Sequence, residues 1–318
     1  MKELVIAADL GGTNMRMAVI DREGNILYRA RRATPRSEHA DEIVSVINET
    51  VAECLENISQ LENTSQMVKV LTIAAAVPAI LSIEEGIILK APNVPSLNGF
   101  RLSKAMENIL GLPCILENDA NAAAIGENWL GASKNFKNSI MVTLGTGIGG
   151  GIIIDGNILR GADGTAGEIG HICVEPFGAV CGCGSRGCVE QYASATAIVR
   201  LVRELEGTYP KSLLPEKSKF SSQEIYEAGI QGDELALEVF RRQGFYLGIA
   251  LAGLINVLNT EVIVIGGGAA AGWDLFAPQM FEQIRQRTYR EPSKRAKIVR
   301  AALGDDAGIL GAARLAFK

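Results

Sequence analysis

Histidine and tryptophan are scarce in this 318-residue chain, which has two of each. Any metal or acid–base role for histidine therefore falls on His39 or His171. No uninterrupted apolar run reaches the roughly 18 residues a membrane helix needs, so no membrane partner is expected. The N-terminal stretch "MKELVIAADLGGTN" lacks a leader pattern: its apolar run is short, is broken by Asp9, and no small-residue cleavage site follows. Positive charge is not in excess, the net charge being −5. That argues against nucleic acid or an anionic membrane as partner, since either would call for a basic surface. There is no low-complexity segment and no G-x-x-x-x-G-K-[ST], hence no P-loop. With six cysteines and no leader, a reducing cytoplasm is the expected compartment. Cys54, Cys114 and Cys173, scattered among apolar or helical patterns, read as buried free thiols.

The chain holds 47% hydrophobic and 21% charged residues, a globular balance, and is long enough for two domains of ordinary size. Residues 3–10, "MRMAVID" and "ILYRARRAT" read as three strands joined by turns. Apolar residues Ile43, Val46, Ile47, Val51, Leu55 and Ile58 mark a helix over 40–59. "MVKVLTIAAAVP" reads as a strand, "SKAMENILG" as a short helix, "PCILEND" as a strand, and a helix begins just after Asp119. The pattern then restarts. "SIMVTLG" is a strand, "TGIGG" a glycine turn and "GIIIDGNILRG" a hairpin with Asp155-Gly156 at its turn. "EVIVIGGGAAAG" is a strand and turn, "DLFAPQMFEQIRQRTY" a helix, "KIVRAAL" a strand, and "DDAGILGAARLAFK" a closing helix capped by Asp305 or Asp306. "EGTYPKSLLPEKSKFSSQ" is the most loop-like stretch. The repetition of strand, glycine turn, strand, turn, strand points to two related halves.

Glycine is abundant, with 35 residues, and clustered in "DLGGTN", "GTGIGGG" and "GGGAAAG". "GTGIGG" fits G-x-G-x-x-G, but a dinucleotide fingerprint needs a helix after it, and "GIIIDGN" reads as a strand. What remains is a pair of hairpin turns, each with backbone N–H groups and a threonine hydroxyl, Thr13 and Thr146. Facing each other, two such turns can clasp a polyphosphate without lysine. Asp9 is then available to a Mg²⁺-bound water. Two ordinary glycine hairpins remain the alternative.

"LENDANAA" sets Glu117, Asn118 and Asp119 at a strand end leading into a helix. Asp119 can be a helix N-cap, a positioned proton acceptor, or both. "CGCGSRGC" contains Cys181, Cys183 and Cys188. Three cysteines are one ligand short of a zinc tetrahedron, and His171, ten residues earlier, completes a Cys₃His set. Gly182, Gly184 and Gly187 let the chain fold tightly around an ion. One disulfide with a free thiol, or purely structural thiols, are the competing readings. His39 lies in a polar stretch and reads as solvated. If one ring nitrogen of His171 binds zinc, the other becomes a fixed N–H donor.

Six segments in order, "DLGGTNMR", "ENDANAAAIGE", "TLGTGIGGGIIIDG", "GADGTAGEIGHI", "CGCGSRGCVEQYAS" and "VIGGGAA", resemble the ROK family of sugar kinases and repressors, within the sugar kinase/Hsp70/actin superfamily. The resemblance runs essentially end to end. It implies an α/β fold of two actin-like (ribonuclease H-like) domains with a central cleft. The small domain would be 1–117, completed by helix 304–318, and the large domain 118–303 with the zinc loop. It implies ATP and Mg²⁺ at Asp9, Gly11, Gly12, Thr13, Asn14, Gly145, Thr146, Gly147, Gly267 and Gly268. Sugar contacts fall on Asn93, Asn118, Asp119, Glu168, His171 and Glu190, with Asp119 as the base. Structural zinc falls on His171, Cys181, Cys183 and Cys188. The implied reaction is phosphorylation of a hexose at its 6-hydroxyl, most closely as in the family's bacterial glucokinases. Other hexoses or N-acetylhexosamines are the runner-up substrates, and polyphosphate is an alternative donor. A homodimer or homotetramer is implied. The repressors carry a DNA-binding domain before the first phosphate strand, and this chain reaches "DLGG" by residue 9; Asp119 is also present. Both features favour a kinase over a regulator. Two departures bear on sugar choice: Ala79 stands where the family often has glycine after proline, and the tryptophan frequent near Asn93 is missing.

Overall fold

The computed structural model describes residues 1–62, 67–214 and 220–317. Its elements begin with β1 (Lys2–Leu10), β2 (Asn14–Asp21), β3 (Ile26–Ala33), α1 (Ala40–Glu62), β4 (Val68–Val77), β5 (Ile80–Ser82) and β6 (Ile87–Lys90). There follow α2 (Leu102–Leu110), β7 (Cys114–Asn118), α3 (Asp119–Trp129), β8 (Ser139–Leu144), β9 (Ile148–Ile154) and β10 (Asn157–Ile158). After the short α4 (Glu190–Ala193) come α5 (Ala195–Leu205), α6 (Ser222–Ile230), α7 (Glu234–Leu258) and β11 (Val262–Gly266). The chain closes with α8 (Trp273–Arg287), α9 (Arg290–Arg295), β12 (Lys297–Arg300) and α10 (Ala307–Ala316).

Two five-stranded sheets have the orders β3-β2-β1-β4-β7 and β10-β9-β8-β11-β12, and β5 pairs with β6. These are one order used twice. In the first sheet β1, β2 and β3 run antiparallel, and β4 and β7 then add in parallel. In the second, β9 and β10 are antiparallel while β8, β11 and β12 are parallel. The internal echo in the sequence is therefore an echo of topology. Asp155 and Gly156 both have positive φ, 49° and 78°, the backbone of a two-residue type I′ hairpin. The strand after "GTGIGG" is present as β9, which rules out the dinucleotide reading of that turn.

Grouped by contacts, the chain forms two units: Met1–Asn135 with Gly151–Ala166 and Ala302–Lys318, and Phe136–Gly150 with Gly167–Ala301. The division expected at 117/118 differs from this grouping, which carries α3 and residues 151–166 with the first unit. Packing accounts for the difference, because α3 lies against α10 along almost its whole length.

In the first unit β1 is buried on both faces, as a central strand must be. Leu4, Ile6, Ala8 and Leu10 face one core with Ile43, Ile47, Val51 and Cys54 of α1. Val5 and Ala7 face another with Ala122 of α3 and Ile309, Leu310 and Ala313 of α10. The period of two along β1 thus sorts its side chains between two helical layers. α3 and α10 meet through glycine. A Cβ at Gly311 would lie 1.7 Å from the Ala122 carbonyl oxygen, and one at Gly126 would lie 2.2 Å from that of Ala307. The seam is locked by Glu127, whose buried carboxylate accepts the N–H groups of Ala132, Ala302 and Leu303 at 2.7–3.0 Å. At the start of α10, Asp306 occupies the N-cap position but makes no capping bond; its carboxylate pairs with Arg29 instead.

In the second unit α7 is the longest helix, 25 residues, capped by the Asp233 side chain on the Ala236 N–H. No helix is expected from sequence at α5, α6 or α7; in α7 exposed apolar residues such as Leu237 and Val257 blur the 3.6 period. Gly244 and Gly248 let α8 approach: a Cβ on either would fall 2.1–2.6 Å from the Phe276 or Met280 carbonyl oxygen. The loop-like stretch 206–223 lies partly outside the described residues; its described part ends with the Ser221–Glu224 capping box of α6. Among the described residues no helix is long and apolar enough to cross a membrane.

Gly311→Ala therefore destabilises the protein by ~1–3 kcal/mol through overpacking. Gly253→Ala, in the exposed middle of α7 with nothing within 4 Å of the added methyl, stabilises it by ~0.5–1 kcal/mol. Denaturant unfolding of the two variants checks the opposite signs.

Candidate functional site

The turn between β1 and β2 is short and closed from beneath. The Gly11 N–H donates to the Asn14 carbonyl at 3.0 Å, and a Cβ at Gly11 would sit 2.7 Å from that same oxygen. Thr34, just past β3, donates its N–H to the Thr13 carbonyl at 3.0 Å and its hydroxyl to the Gly11 carbonyl at 2.6 Å. With its carbonyls so engaged, the turn leaves the N–H groups of Gly12 and Thr13 without an acceptor among the described residues. Gly12 also backs onto Asn93, whose Cβ would be 2.9 Å from a Cβ at that position. Asn93 is exposed. Thr34 lies in no sequence motif; its role arises from pairing of β2 with β3.

The turn between β8 and β9 repeats the scheme with different residues. The Gly145 N–H donates to the Gly147 carbonyl at 2.9 Å. The first residues of α5 hold the loop from below: the Ala195 N–H donates to the Gly145 carbonyl at 2.8 Å, and the Thr196 hydroxyl to the Thr146 carbonyl at 2.8 Å. The N–H groups of Thr146 and Gly147 have no acceptor among the described residues, and Thr146 is exposed, as is Thr13. Gly267 has φ +85°, and a Cβ there would lie 2.5 Å from the Leu144 carbonyl oxygen. Only glycine fits that approach of β11's end to β8's end. Gly268 faces open space.

Asp9, at the end of β1, is held by Arg16 across the β1–β2 pair, Nη2 to Oδ2 at 2.6 Å. Arg16 also reaches Asp305 at 3.2 Å. Burial raises the Asp9 carboxyl above its ordinary 3.8, against the opposing pull of Arg16. One carboxylate oxygen of Asp9 is thus occupied by a cation of the protein itself.

The β7–α3 junction carries Asn118 and Asp119, both half-buried. The N-cap of α3 is Asn118, not Asp119: its Oδ1 accepts the N–H groups of Ala120 and Asn121 at 2.9 and 3.1 Å. Its Nδ2 donates to the Ala79 carbonyl at 3.3 Å. Asp119 is the first helical residue, and its Oδ1 accepts the Ala120 N–H at 2.9 Å. An acidic group in that first turn is favoured by the helix dipole. Beneath both lies Glu117, 1% exposed. Its Oε1 accepts the Asn118 N–H and Asn121 Nδ2, each at 3.1 Å. Its Oε2 takes Arg160 Nε at 3.1 Å and Nη2 at 2.6 Å. The motif gave Glu117 no role of its own and did not include Arg160; the burial of a carboxylate is not visible in "LEND".

In the second unit the cysteine loop gathers four ligand atoms within 4.8 Å of one another, from His171, Cys181, Cys183 and Cys188. Cys183 Sγ and Cys188 Sγ are 3.6 Å apart, and Cys181 Sγ and His171 Nδ1 3.7 Å. A tetrahedron of thiolates with zinc–sulfur bonds of 2.3 Å has edges of about 3.8 Å. The donor set and its spacing therefore fit Zn²⁺. All six cysteines are free, so the disulfide reading does not describe this structure. Gly184 and Gly187 take φ +93° and +71° to fold the loop. Gln191 Nε2 lies 3.6 Å from Cys181 Sγ. His171 turns Nδ1 to the cysteines, which leaves Nε2 on the other side, 3.7 Å from Glu168 Oε2. Both side chains are exposed. Glu190, two residues past Cys188, accepts the Ile148 N–H on Oε2 at 2.9 Å. His39 is exposed. Among the remaining thiols Cys54 is buried and Cys114 half-buried, both pushed up to about 12 by burial. Cys173 is exposed rather than buried, because it edges the cysteine loop opposite Cys188.

Two sheets of one order, each opening on a glycine-turned hairpin with free N–H groups, define the fold of the actin-like sugar kinases. The ROK family profile matches residues 5–318, and the chain belongs to the ROK family. It is 37% identical over 322 aligned residues to the glucokinase of Thermotoga maritima, covering 98% of this chain and 96% of that one. The crystal structure of a ROK glucokinase from Streptomyces griseus, in complex with glucose and AMPPNP, is 35% identical, with TM-score 0.80 and 98% of each chain covered. A ROK hexokinase structure from Thermus thermophilus is 30% identical, with TM-score 0.81, covering 99% of this chain and 97% of that one.

Because the folded Asp9 carboxyl is raised, its ionised form is less favourable in the fold than in the unfolded chain. Its contribution to stability is lost as pH climbs from the ordinary Asp range through the raised value. Asp9→Asn removes that loss. In thermal unfolding it melts above wild type at pH 7, and the difference shrinks toward pH 4.

Proposed function

We propose that this chain is an ATP-dependent glucokinase that transfers the γ-phosphoryl group of ATP to the 6-hydroxyl of glucose. The observation that carries the reading is the β7–α3 junction: Asp119 stands in the first turn of α3, on a strand end braced by the Glu117–Arg160 pair. Near full-length similarity to glucokinases supports the choice of sugar. In the reaction Asp119 accepts the proton of the sugar 6-hydroxyl as that oxygen attacks the γ-phosphorus. The bond from phosphorus to the β-phosphate oxygen breaks, and ADP leaves. A carboxylate is a weak base, so its contribution is orientation and timing more than strength.

The N–H groups of Gly12, Thr13, Thr146 and Gly147, with Asn14, Gly145, Gly267 and Gly268 shaping the backbone around them, cradle the ATP phosphates. Mg²⁺ bound with ATP neutralises phosphate charge, and Asp9 supports its water shell in competition with Arg16. Asn93, Asn118, Asp119, Glu168, His171 and Glu190 are the proposed sugar contacts. His171, Cys181, Cys183 and Cys188 would hold a structural zinc, which would fix the cysteine loop; His171, bound through Nδ1, would then carry its proton on Nε2 as a donor to a ring hydroxyl. The cytoplasm is the proposed compartment, and a homodimer or homotetramer the proposed assembly.

A second substrate reading, another hexose or an N-acetylhexosamine, rests on Ala79. Its carbonyl holds the Asn118 amide, so a change of backbone there moves a proposed sugar contact. A coupled ADP-release assay over a panel of hexoses and N-acetylhexosamines, with ATP and polyphosphate as donors, separates the readings. Glucose with ATP gives the highest kcat/KM; if no sugar stimulates release, the kinase reading fails. Asp119→Ala lowers kcat by about 10²–10⁴-fold with unchanged thermal unfolding, and a folded variant at near wild-type turnover overturns its role. Metal analysis returns about one zinc per chain, lost in Cys183→Ser together with thermal stability.

A further inference from the structure

Glu190 stands apart from the other proposed sugar ligands in one respect: it is already committed to the second phosphate turn. Its Oε2 accepts the Ile148 N–H at 2.9 Å, immediately after the two glycine-turn residues whose N–H groups are unengaged. The fit is close. A Cβ on Gly147 would fall 2.3 Å from the same Oε2 and 3.2 Å from the carboxyl carbon, so the side chain of Glu190 fills the space that makes position 147 glycine. φ at Gly147 is not in the left-handed region; the demand for glycine there comes from the carboxylate, not from the backbone. At the other end, Glu190 follows Cys188 by two residues and opens α4. The Val189 N–H donates to the Ile172 carbonyl, next to His171, at 2.9 Å. The carboxylate thus hangs from the metal loop and holds the phosphate turn. Oε1 has no partner among the described residues.

We propose that Glu190 is a positioning residue for the nucleotide: Oε2 sets the backbone of the 145–148 turn while Oε1 is left for the sugar, so one side chain couples the two substrates. This rests on the kinase reading above. A charge-assisted hydrogen bond that orients a backbone amide is a strong tether. A sugar hydroxyl that orders the same carboxylate orders the turn with it, and by linkage each substrate must then tighten the other.

The test is AMPPNP binding with Mg²⁺, measured calorimetrically with and without glucose on the zinc-loaded protein, whose folding is followed by thermal unfolding. Glu190→Ala weakens sugar-free AMPPNP binding by about tenfold, the scale of losing a hydrogen bond to a charged group, and abolishes the tightening by glucose. Glu190→Gln retains an acceptor for the Ile148 N–H and restores most of the sugar-free affinity, a rescue that loss of sugar contact alone would not produce. Gly147→Ala pushes the carboxylate away and weakens AMPPNP in the wild-type background. In the Glu190→Ala background it has room and adds nothing further. Wild-type AMPPNP affinity in sugar-free Glu190→Ala overturns the proposal, as does additivity of the two alanine substitutions. If wild-type protein binds neither AMPPNP nor glucose, the kinase reading itself falls and this inference falls with it.

Discussion

The carboxylate of Glu117 is the constraint around which the first unit's chemistry is arranged. A buried carboxylate is costly unless every lone pair is engaged. Here one oxygen takes the Asn118 N–H and the Asn121 amide, and the other takes two donors of Arg160. The consequence is geometric. The strand end, the first turn of α3 and the chain arriving from β10 are tied to one group, two residues before Asp119. Asn121 Oδ1 is buried without a hydrogen-bond partner among the described residues.

The helix that carries Asp119 is itself placed by the absence of side chains. α3 is buried from Ala120 through Glu127, and α10 comes within backbone contact of it at Gly126 and Gly311. Where two helices lie so close there is no side-chain layer to adjust, so the position of α3 is set by backbone shape. Glu127 then fastens the segment before α10 through the N–H groups of Ala302 and Leu303, and the chain leaving α3 through that of Ala132. The two glycine turns obey a different version of the same rule. Their carbonyls are engaged from below, by Thr34 in one and by Ala195 and Thr196 in the other, which leaves N–H groups as the polar face of each turn.

Much of this was legible in the sequence, for identifiable reasons. The doubled strand–glycine–strand pattern carried the two sheets, because alternation and turn chemistry are local. The Cys₃His set was legible because ligand chemistry limits which side chains can close a tetrahedron, and only one histidine stood near. The helix over 40–59 emerged as Ala40–Glu62 because its apolar period was clean. What escaped was set by burial or by long-range pairing. Asn118 rather than Asp119 caps α3, a choice that depends on where the backbone leaves β7. α7 went unassigned although it buries one face, because apolar residues such as Leu237 and Val257 also stand on its exposed side and blur the period along the chain. Asp306 kept the cap position but not the cap bond, since Arg29 from β3 competes for its carboxylate.

By itself the sequence determined the repeated strand–turn–strand pattern, the glycine turns, the Cys₃His grouping and the carboxylate at the β7–α3 junction. Each depends on residue type and short-range spacing, which a linear chain displays directly. Only the tertiary structure decided that Glu117 meets Arg160, 43 positions away, that α3 groups with the first unit, and that Glu190 holds the turn at Ile148 rather than standing in solvent. Those pairings depend on which surfaces the folded layers bring within a few ångströms, and a hydrogen bond carries no trace along the chain of the partner it will find.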